Sequence, residues 1–373
     1  VETHPIWIWQ QPDWPRFCWN EARLAGPLSR ARLAQGKVLG AARFLDADLT
    51  LEAVAAILVE NGLTTSAIEG ERLDPADLRS SVTRRLGLPS AGLPVPQRAV
   101  DGLIDVLLDA TRRHDRPMTE ERLYGWQAAL FPTGYSGLQA IGVGRLRGEE
   151  PMQVVSGAIG REQVHFVAPP RVRLDTELTR FLEWVDHPPV SIDGLIRAGI
   201  AHLWFVTLHP FEDGNGRLAR AIIDMMLCRD EGRPMRLFSL SAQILREREA
   251  YYDILERTQR GGLEVTSWLA WFLARAEAVA ASAEQTLTHT LTKARYWLRH
   301  QATVLNERQH KALNRLLDAG HGGFEGGMNT RKYMSLTRTS RATAYRELTD
   351  LVRKGCLRPT EKGGRSSGYE IVW

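Results

Sequence analysis

The residues best equipped for chemistry fall in one string, His209-Pro210-Phe211-Glu212-Asp213-Gly214-Asn215-Gly216-Arg217-Leu218-Ala219-Arg220. Gly214, Asn215 and Gly216 permit a tight turn that leaves backbone N–H groups free at the start of the next helix. Those groups and the helix dipole make a site for an anion, phosphate above all. Arg217 and Arg220 lie three residues apart, so they share a helix face and can reach one polyphosphate. Asp213 offers the hard carboxylate oxygen that Mg2+ takes when it also bridges phosphates. His209, with an ordinary pKa of about 6.5, can accept a proton from an attacking hydroxyl near neutral pH. The bland alternative is a Gly-rich connection with solvated side chains. Six chemically coherent residues within twelve positions argue against it.

The string needs a helix on either side, and apolar spacing supplies them at Ile192–Leu208 and Arg217–Arg229. Further helices are expected at Pro27–Phe44, Leu51–Asn61, Arg98–Arg112, Thr119–Leu130, Arg173–Val185, Ala242–Gln259 and Val265–Arg295. Gly70 can stop a short helix, and Leu86–Gln97, rich in Pro and Gly, reads as a loop. Met152–Ser156 and Gln163–Val167 are β-like runs around a Gly-containing turn at Gly157–Arg161, which predicts a hairpin. The tail predicts helices at Arg308–Leu317, with its end near Gly320, at Asn329–Leu336 and at Ser340–Lys354. Cys356–Pro359, a turn at Gly363-Gly364 and Tyr369–Trp373 follow. Helix, helix, helix, hairpin is the order of a winged helix.

At 373 residues the chain is long enough for two or three domains, and its 25% charged and 43% hydrophobic content is that of a globular protein. Unbroken apolar runs such as Ala221–Leu227 fall short of the ~20 residues that cross a bilayer, so no membrane role is expected. The opening twenty residues hold four Trp and show no charged-then-apolar leader. Trp7, Trp9, Trp14 and Trp19 are expected to pin an N-terminal extension by packing. Three scattered cysteines without a CxxC argue against zinc and disulfides and suggest a cytoplasmic protein. The net charge of +4 conceals an asymmetry: from Lys293 onward there are 16 Lys/Arg against 7 Asp/Glu, and before it 32 against 37. A basic tail of this kind suits a polyanion such as DNA. On the predicted recognition helix Arg341, Thr343 and Arg346 could meet phosphates or base edges, with Lys362 and Arg365 on the wing. A protein-docking module is the competing use of such a fold.

The 209–220 string resembles the signature of the Fic family, H-x-F-x-D/E-G-N-G-R-x-x-R, at every fixed position. The resemblance implies a mainly α fold: a Fic helical core with a β-hairpin flap over 97–290, an N-terminal helical domain over 1–96 and a winged-helix domain over 291–373. It implies transfer of AMP from ATP, with Mg2+, to a Ser, Thr or Tyr hydroxyl of a protein, the chain itself included. His209 would be the general base and Asp213 the metal ligand. Gly214, Asn215 and Gly216 would shape the anion site, Arg217 would hold the phosphates and Arg220 the γ-phosphate. The retained Gly216-Arg217 sets the string apart from the phosphate-transferring branch. Thr65-Ser66-Ala67-Ile68-Glu69-Gly70 is similar to the family's inhibitory motif S/T-x-x-x-E-G/N, which implies that Glu69 pairs with Arg220. The flap, with Gln153, Val154, Val155 and Ser156, would align the target by β-augmentation. Tyr252 and Gln259, on the helix after the motif with Tyr251, stand where relatives contact adenine. The Trp-rich opening resembles an N-terminal domain that accompanies Fic cores, and relatives often form homodimers. Two alternatives share these residues: a hydrolase that removes AMP, with Glu69 placing a water, and a DNA-binding regulator that senses nucleotide.

Overall fold

The computed structural model of the chain describes residues 7–44, 47–88, 93–156, 163–319, 324, 326–360 and 368–373. Contacts divide the chain into two units, Val1–Glu284 and Gln285–Trp373. The expected turns at 157–161 and at 363–364, the expected wing residues Lys362 and Arg365, and Gly320 lie outside the described residues.

In the first unit α1 (Glu21–Ala42) starts earlier than the pattern predicts, because the Asn20 side chain accepts a hydrogen bond from the Arg23 amide and caps it. Pro27 lies inside this helix. Helix α2 (Ala47–Ile68) runs a full two turns beyond the expected Asn61 end. The polar helix α3 (Pro75–Leu86), which the apolar spacing does not reveal, is capped by Asp74 and ends at Gly87. Then come α4 (Arg98–Arg112), α5 (Glu120–Leu130) and a small hairpin, β1 (Tyr135–Ser136) with β2 (Gln139–Ala140). The larger hairpin pairs β3 (Gln153–Ser156) with β4 (Gln163–Val167), antiparallel, with a register shift between Val154 and Val155. Helices α6 (Arg171–Asp186), α7 (Gly194–Leu208) and α8 (Asn215–Glu231) follow. The single helix expected at Ala242–Gln259 is two, α9 (Leu240–Arg246) and α10 (Arg248–Gln259), because Glu247 leaves helical geometry at φ −121 and ψ 36. Helix α11 (Thr266–Arg299) closes the unit and leads out of it.

The core is built around α7, every residue of which is buried except Arg197. It packs against α6 and α8. Thr50–Ile68 has the length and apolarity of a membrane-crossing helix, a property hidden when only unbroken runs are counted. In this fold it is a core helix. Val54, Ala55, Leu58 and Ile68 are buried, and α2 packs on α3, α4, α8 and α9. Its polar Asn61 is buried too, donating to Asp224 of α8 (2.6 Å) and accepting from Ser239 (3.0 Å). Burial raises the Asp224 carboxyl to about 6, against the pull of Arg236 and Asn61. Trp7, Trp9 and Trp14 are buried as expected of packing residues, and Trp19 is half-buried. Trp9 donates to the Val167 carbonyl at the hairpin base (2.7 Å), Trp7 meets Phe166 edge-on, and Trp14 donates to the buried Glu177 (2.9 Å).

In the second unit α12 (Glu307–Ala319), α13 (Thr330–Thr337) and α14 (Arg341–Arg353) surround a small core of Leu313, Leu317, Tyr333, Leu348 and Leu351. Strands β5 (Leu357–Pro359) and β6 (Tyr369–Ile371) pair antiparallel. Asn329 and Ser340 cap α13 and α14, donors to them being the amides of Lys332 and Thr343.

Candidate active site

The α7–α8 connection carries the motif. Helix α7 ends at His209, whose backbone is left-handed (φ 47), an uncommon state for a residue with a Cβ. Arg147 holds it there: Nε donates to the His209 carbonyl (2.8 Å), the Arg147 amide donates to Pro210 (3.0 Å), and a terminal nitrogen reaches the Pro169 carbonyl behind the hairpin. Arg147 is 2% exposed and burial lowers its pKa to about 10, so it stays charged at neutral pH. Nδ1 of His209 faces the Val206 carbonyl at 3.3 Å. With the proton on Nδ1, Nε2 keeps its lone pair for substrate. Burial holds the imidazole below its usual range, against the pull of the Val206 carbonyl, and nearby Arg147 adds to the depression.

Asn215 closes the loop by accepting from the Phe211 amide (3.0 Å) and donating to the Phe211 carbonyl (2.8 Å). Gly214 takes φ 89, which only glycine adopts freely. The first helical bond of α8 runs from Leu218 to Gly214. The amides of Asn215, Gly216 and Arg217 therefore have no helical acceptor and form the anion cradle. Asp213 accepts from the Gly214 amide (2.5 Å) and from the Ser136 hydroxyl of β1. Among the described residues no group of three or more His, Cys, Asp or Glu could hold a metal by itself. One carboxylate and one hydroxyl beside a phosphate cradle nevertheless fit Mg2+, which usually keeps waters and takes the rest of its shell from phosphates.

Residues from the end of α2 fill this cradle. The α2 helix stops at Ile68, and Gly70 turns the chain at φ 84. Glu69 Oε1 lies 2.7 Å from a terminal nitrogen of Arg220. A Cβ built on Gly216 would stand 2.1 Å from the same oxygen, so the carboxylate lies directly against the start of α8. Arg220, 3% exposed, also donates to the Thr65 hydroxyl (2.7 Å) and carbonyl (2.9 Å). Arg217 lies over the Phe131 ring (4.9 Å to its centroid) and donates to Glu71 (2.9 Å). Arg248 of α10 donates to the Ile68 carbonyl (2.7 Å) and fastens the end of α2.

The structure thus gathers His209, Asp213, Gly214, Asn215, Gly216, Arg217, Arg220 and Glu69. Tyr252 adjoins them, with its hydroxyl 3.4 Å from the Ile68 carbonyl. Gln259, also assigned to nucleotide from sequence, is 5% exposed, and its amide donates to Thr207 of α7 (3.1 Å), a contact within the core. Gln153–Ser156 form the strand β3. On β4, Arg260 donates to the Val164 carbonyl (2.8 Å), while His165 links Ser156 (2.6 Å) to Glu256 (2.6 Å). The hairpin is thereby fastened to α10 through β4, and β3 has no second strand among the described residues. Arg147, Ser136 and Glu71 were not singled out from sequence. None belongs to a local pattern that marks it.

Residues 117–227 match the model of the Fic/DOC family, and residues 7–88 match that of a domain of unknown function (DUF4172). Over 62 residues, 16% of this chain, the sequence is 39% identical to Protein adenylyltransferase fic-1 of Caenorhabditis elegans. Over 121 residues, 30% of this chain, it is 30% identical to the Uridine 5'-monophosphate transferase of Xanthomonas campestris pv. campestris (strain 8004). The matches span 12% and 21% of the lengths of these relatives. The crystal structure of a Fic family protein from Desulfovibrio desulfuricans G20 shares the fold, with a TM-score of 0.53 at 17% identity over 93% of this chain and 96% of that one.

Proposed function

The chain belongs to the Fic/DOC family, and from that premise we propose that it is a protein adenylyltransferase restrained by its own Glu69. Its substrates are ATP and a Ser, Thr or Tyr hydroxyl of a protein, which docks along the open edge of β3 through backbone hydrogen bonds. Nε2 of His209 takes the hydroxyl proton as that oxygen bonds to the α-phosphorus. The bond from the α-phosphorus to the bridging oxygen breaks, and pyrophosphate leaves with the electron pair. The free amides of Asn215, Gly216 and Arg217 receive the charge that develops on phosphate oxygens. Arg217 and Arg220 hold the remaining phosphates. Asp213, with Ser136 beside it, would hold Mg2+, which neutralises phosphate charge when bound.

The observation that carries the restraint is the Glu69–Arg220 pair of 2.7 Å, lying against Gly216. Two anions cannot share that cradle. The test is incubation of the protein and its Glu69→Gly variant with a lysate, Mg2+ and ATP or UTP labelled at the α-phosphate. Label from ATP on a protein hydroxyl, absent in His209→Ala, is expected. Label from UTP alone, or none from the Glu69→Gly variant, refutes the assignment.

For the second unit we propose contact with duplex DNA. Arg338, Arg341 and Arg346 are exposed, and no carboxylate among the described residues pairs with them; Glu347, Asp350 and Glu370 are committed to Arg308, Arg353, Lys354 and Arg358. Tyr345, 63% exposed, follows Arg341 by one turn of α14. Such a face suits phosphates and base edges. Duplex binding should weaken steeply with salt, and Arg341→Ala with Arg346→Ala should reduce the salt slope by about 2. No duplex binding at low ionic strength would favour a protein-docking role.

A further inference from the structure

Glu69 is not the only carboxylate at the arginines. Two residues on, past the Gly70 turn, Glu71 accepts from the first motif arginine, Arg217, at 2.9 Å. The Arg217 side chain is 10% exposed, and its Nε is buried without a partner among the described residues. One face lies on Phe131, 4.9 Å from the ring centroid. Stacking of this kind keeps the planar group in one orientation. Glu71, by contrast, is 43% exposed and held by no other side chain among the described residues. The arginine is therefore fixed in place while the carboxylate that occupies it is free to leave.

We infer that Glu71 is a second restraining residue, which competes with the nucleotide's phosphates for Arg217 as Glu69 does for Arg220, and so sets the affinity for nucleotide. The inference rests on the adenylyltransferase reading only for which phosphates are bound. The two carboxylates differ in their consequence. Glu69 lies in the cradle and governs how the phosphates align for attack. Glu71 lies at the rim and governs how tightly they are held. Both ride on the short segment that follows α2, whose last carbonyl is fastened by Arg248 and Tyr252 of α10. One displacement of that segment would release both arginines.

The experiment is equilibrium binding of α,β-methylene-ATP with Mg2+, which reads affinity without turnover. Glu71→Ala and Glu71→Gln are both expected to tighten binding about two- to fivefold, the range for removal of a partly exposed ion pair. In an Arg217→Ala background the same substitutions should have no effect. In a Glu69→Gly background, Glu71→Gln should lower KM for ATP by the same factor and leave kcat unchanged, and Glu71→Asp should retain part of the restraint. Unchanged affinity in both Glu71 variants, folded by circular dichroism and with Arg217→Ala weakened, overturns the inference. So does tightening that persists without Arg217. Failure of the adenylyltransferase reading would look different: tightened binding with no AMP on any protein.

Discussion

Replacing Glu69 with glycine removes one carboxylate and leaves its partner in place. Arg220 keeps two other acceptors, the Thr65 hydroxyl at 2.7 Å and the Thr65 carbonyl at 2.9 Å, so the guanidinium stays where the phosphate must meet it. A charge-assisted hydrogen bond contributes about 1.5–3 kcal/mol. The Glu69 side chain is 32% exposed, which places this one toward the lower figure. A competitor bound by about 1.5–2 kcal/mol suppresses correct phosphate placement roughly 10- to 30-fold. The carboxylate also stands against Gly216, so phosphates that do enter are displaced, and a shift of about 1 Å costs ~10²-fold in rate. Competition alone predicts that Glu69→Gly transfers AMP at least about tenfold faster than the parent chain, and the displacement acting in full raises the gain to about 10³-fold. Initial rates of label transfer from ATP measure this. Adding Arg220→Ala should cancel the gain, because the arginine is what the carboxylate withholds. An unchanged rate in a Glu69→Gly protein that folds and binds ATP would refute the reasoning.

Three further outcomes follow from the same geometry. His209→Ala should reduce transfer by ~10²–10⁴-fold, the usual contribution of a general base, with ATP binding retained in a titration. The pH dependence has a definite sign. Burial depresses the His209 pKa, so the neutral, competent form persists below the ordinary histidine range; transfer by the Glu69→Gly variant should rise with pH through a midpoint under about 6.5 and then level off. The depressed value also means that the unfolded chain binds the proton more readily, so stability is fully present above about pH 6.5 and is lost as pH falls toward the folded value. Arg147→Ala should lower kcat about tenfold or more while leaving ATP affinity near that of the parent, because it frees the His209 carbonyl and the hairpin base without touching the phosphate cradle; equal losses in kcat and ATP affinity would show a general structural role instead.

The 209–220 geometry was legible in the sequence because it is local. Glycines at 214 and 216 dictate the turn, the turn frees the amides, and helical spacing aligns Arg217 with Arg220. The hairpin strands and most helices were legible for the same reason, since apolar periodicity and caps act within a few residues. The helix α3 was not, because its buried face includes Ser80, Ser81 and Thr83 rather than a stripe of large apolar residues. The break at Glu247 was not, since neither Pro nor Gly marks it. Glu69 could be paired with Arg220 from sequence only through a family resemblance, because 151 residues separate them. Glu71 and Arg217, 146 apart, and Arg147 and His209, 62 apart, had no such guide. A carboxylate or guanidinium looks the same in sequence whether it faces water or an arginine across the core. Tertiary packing decided which charges meet, and it brought the end of α2, with Glu69, against Arg220 and the start of α8.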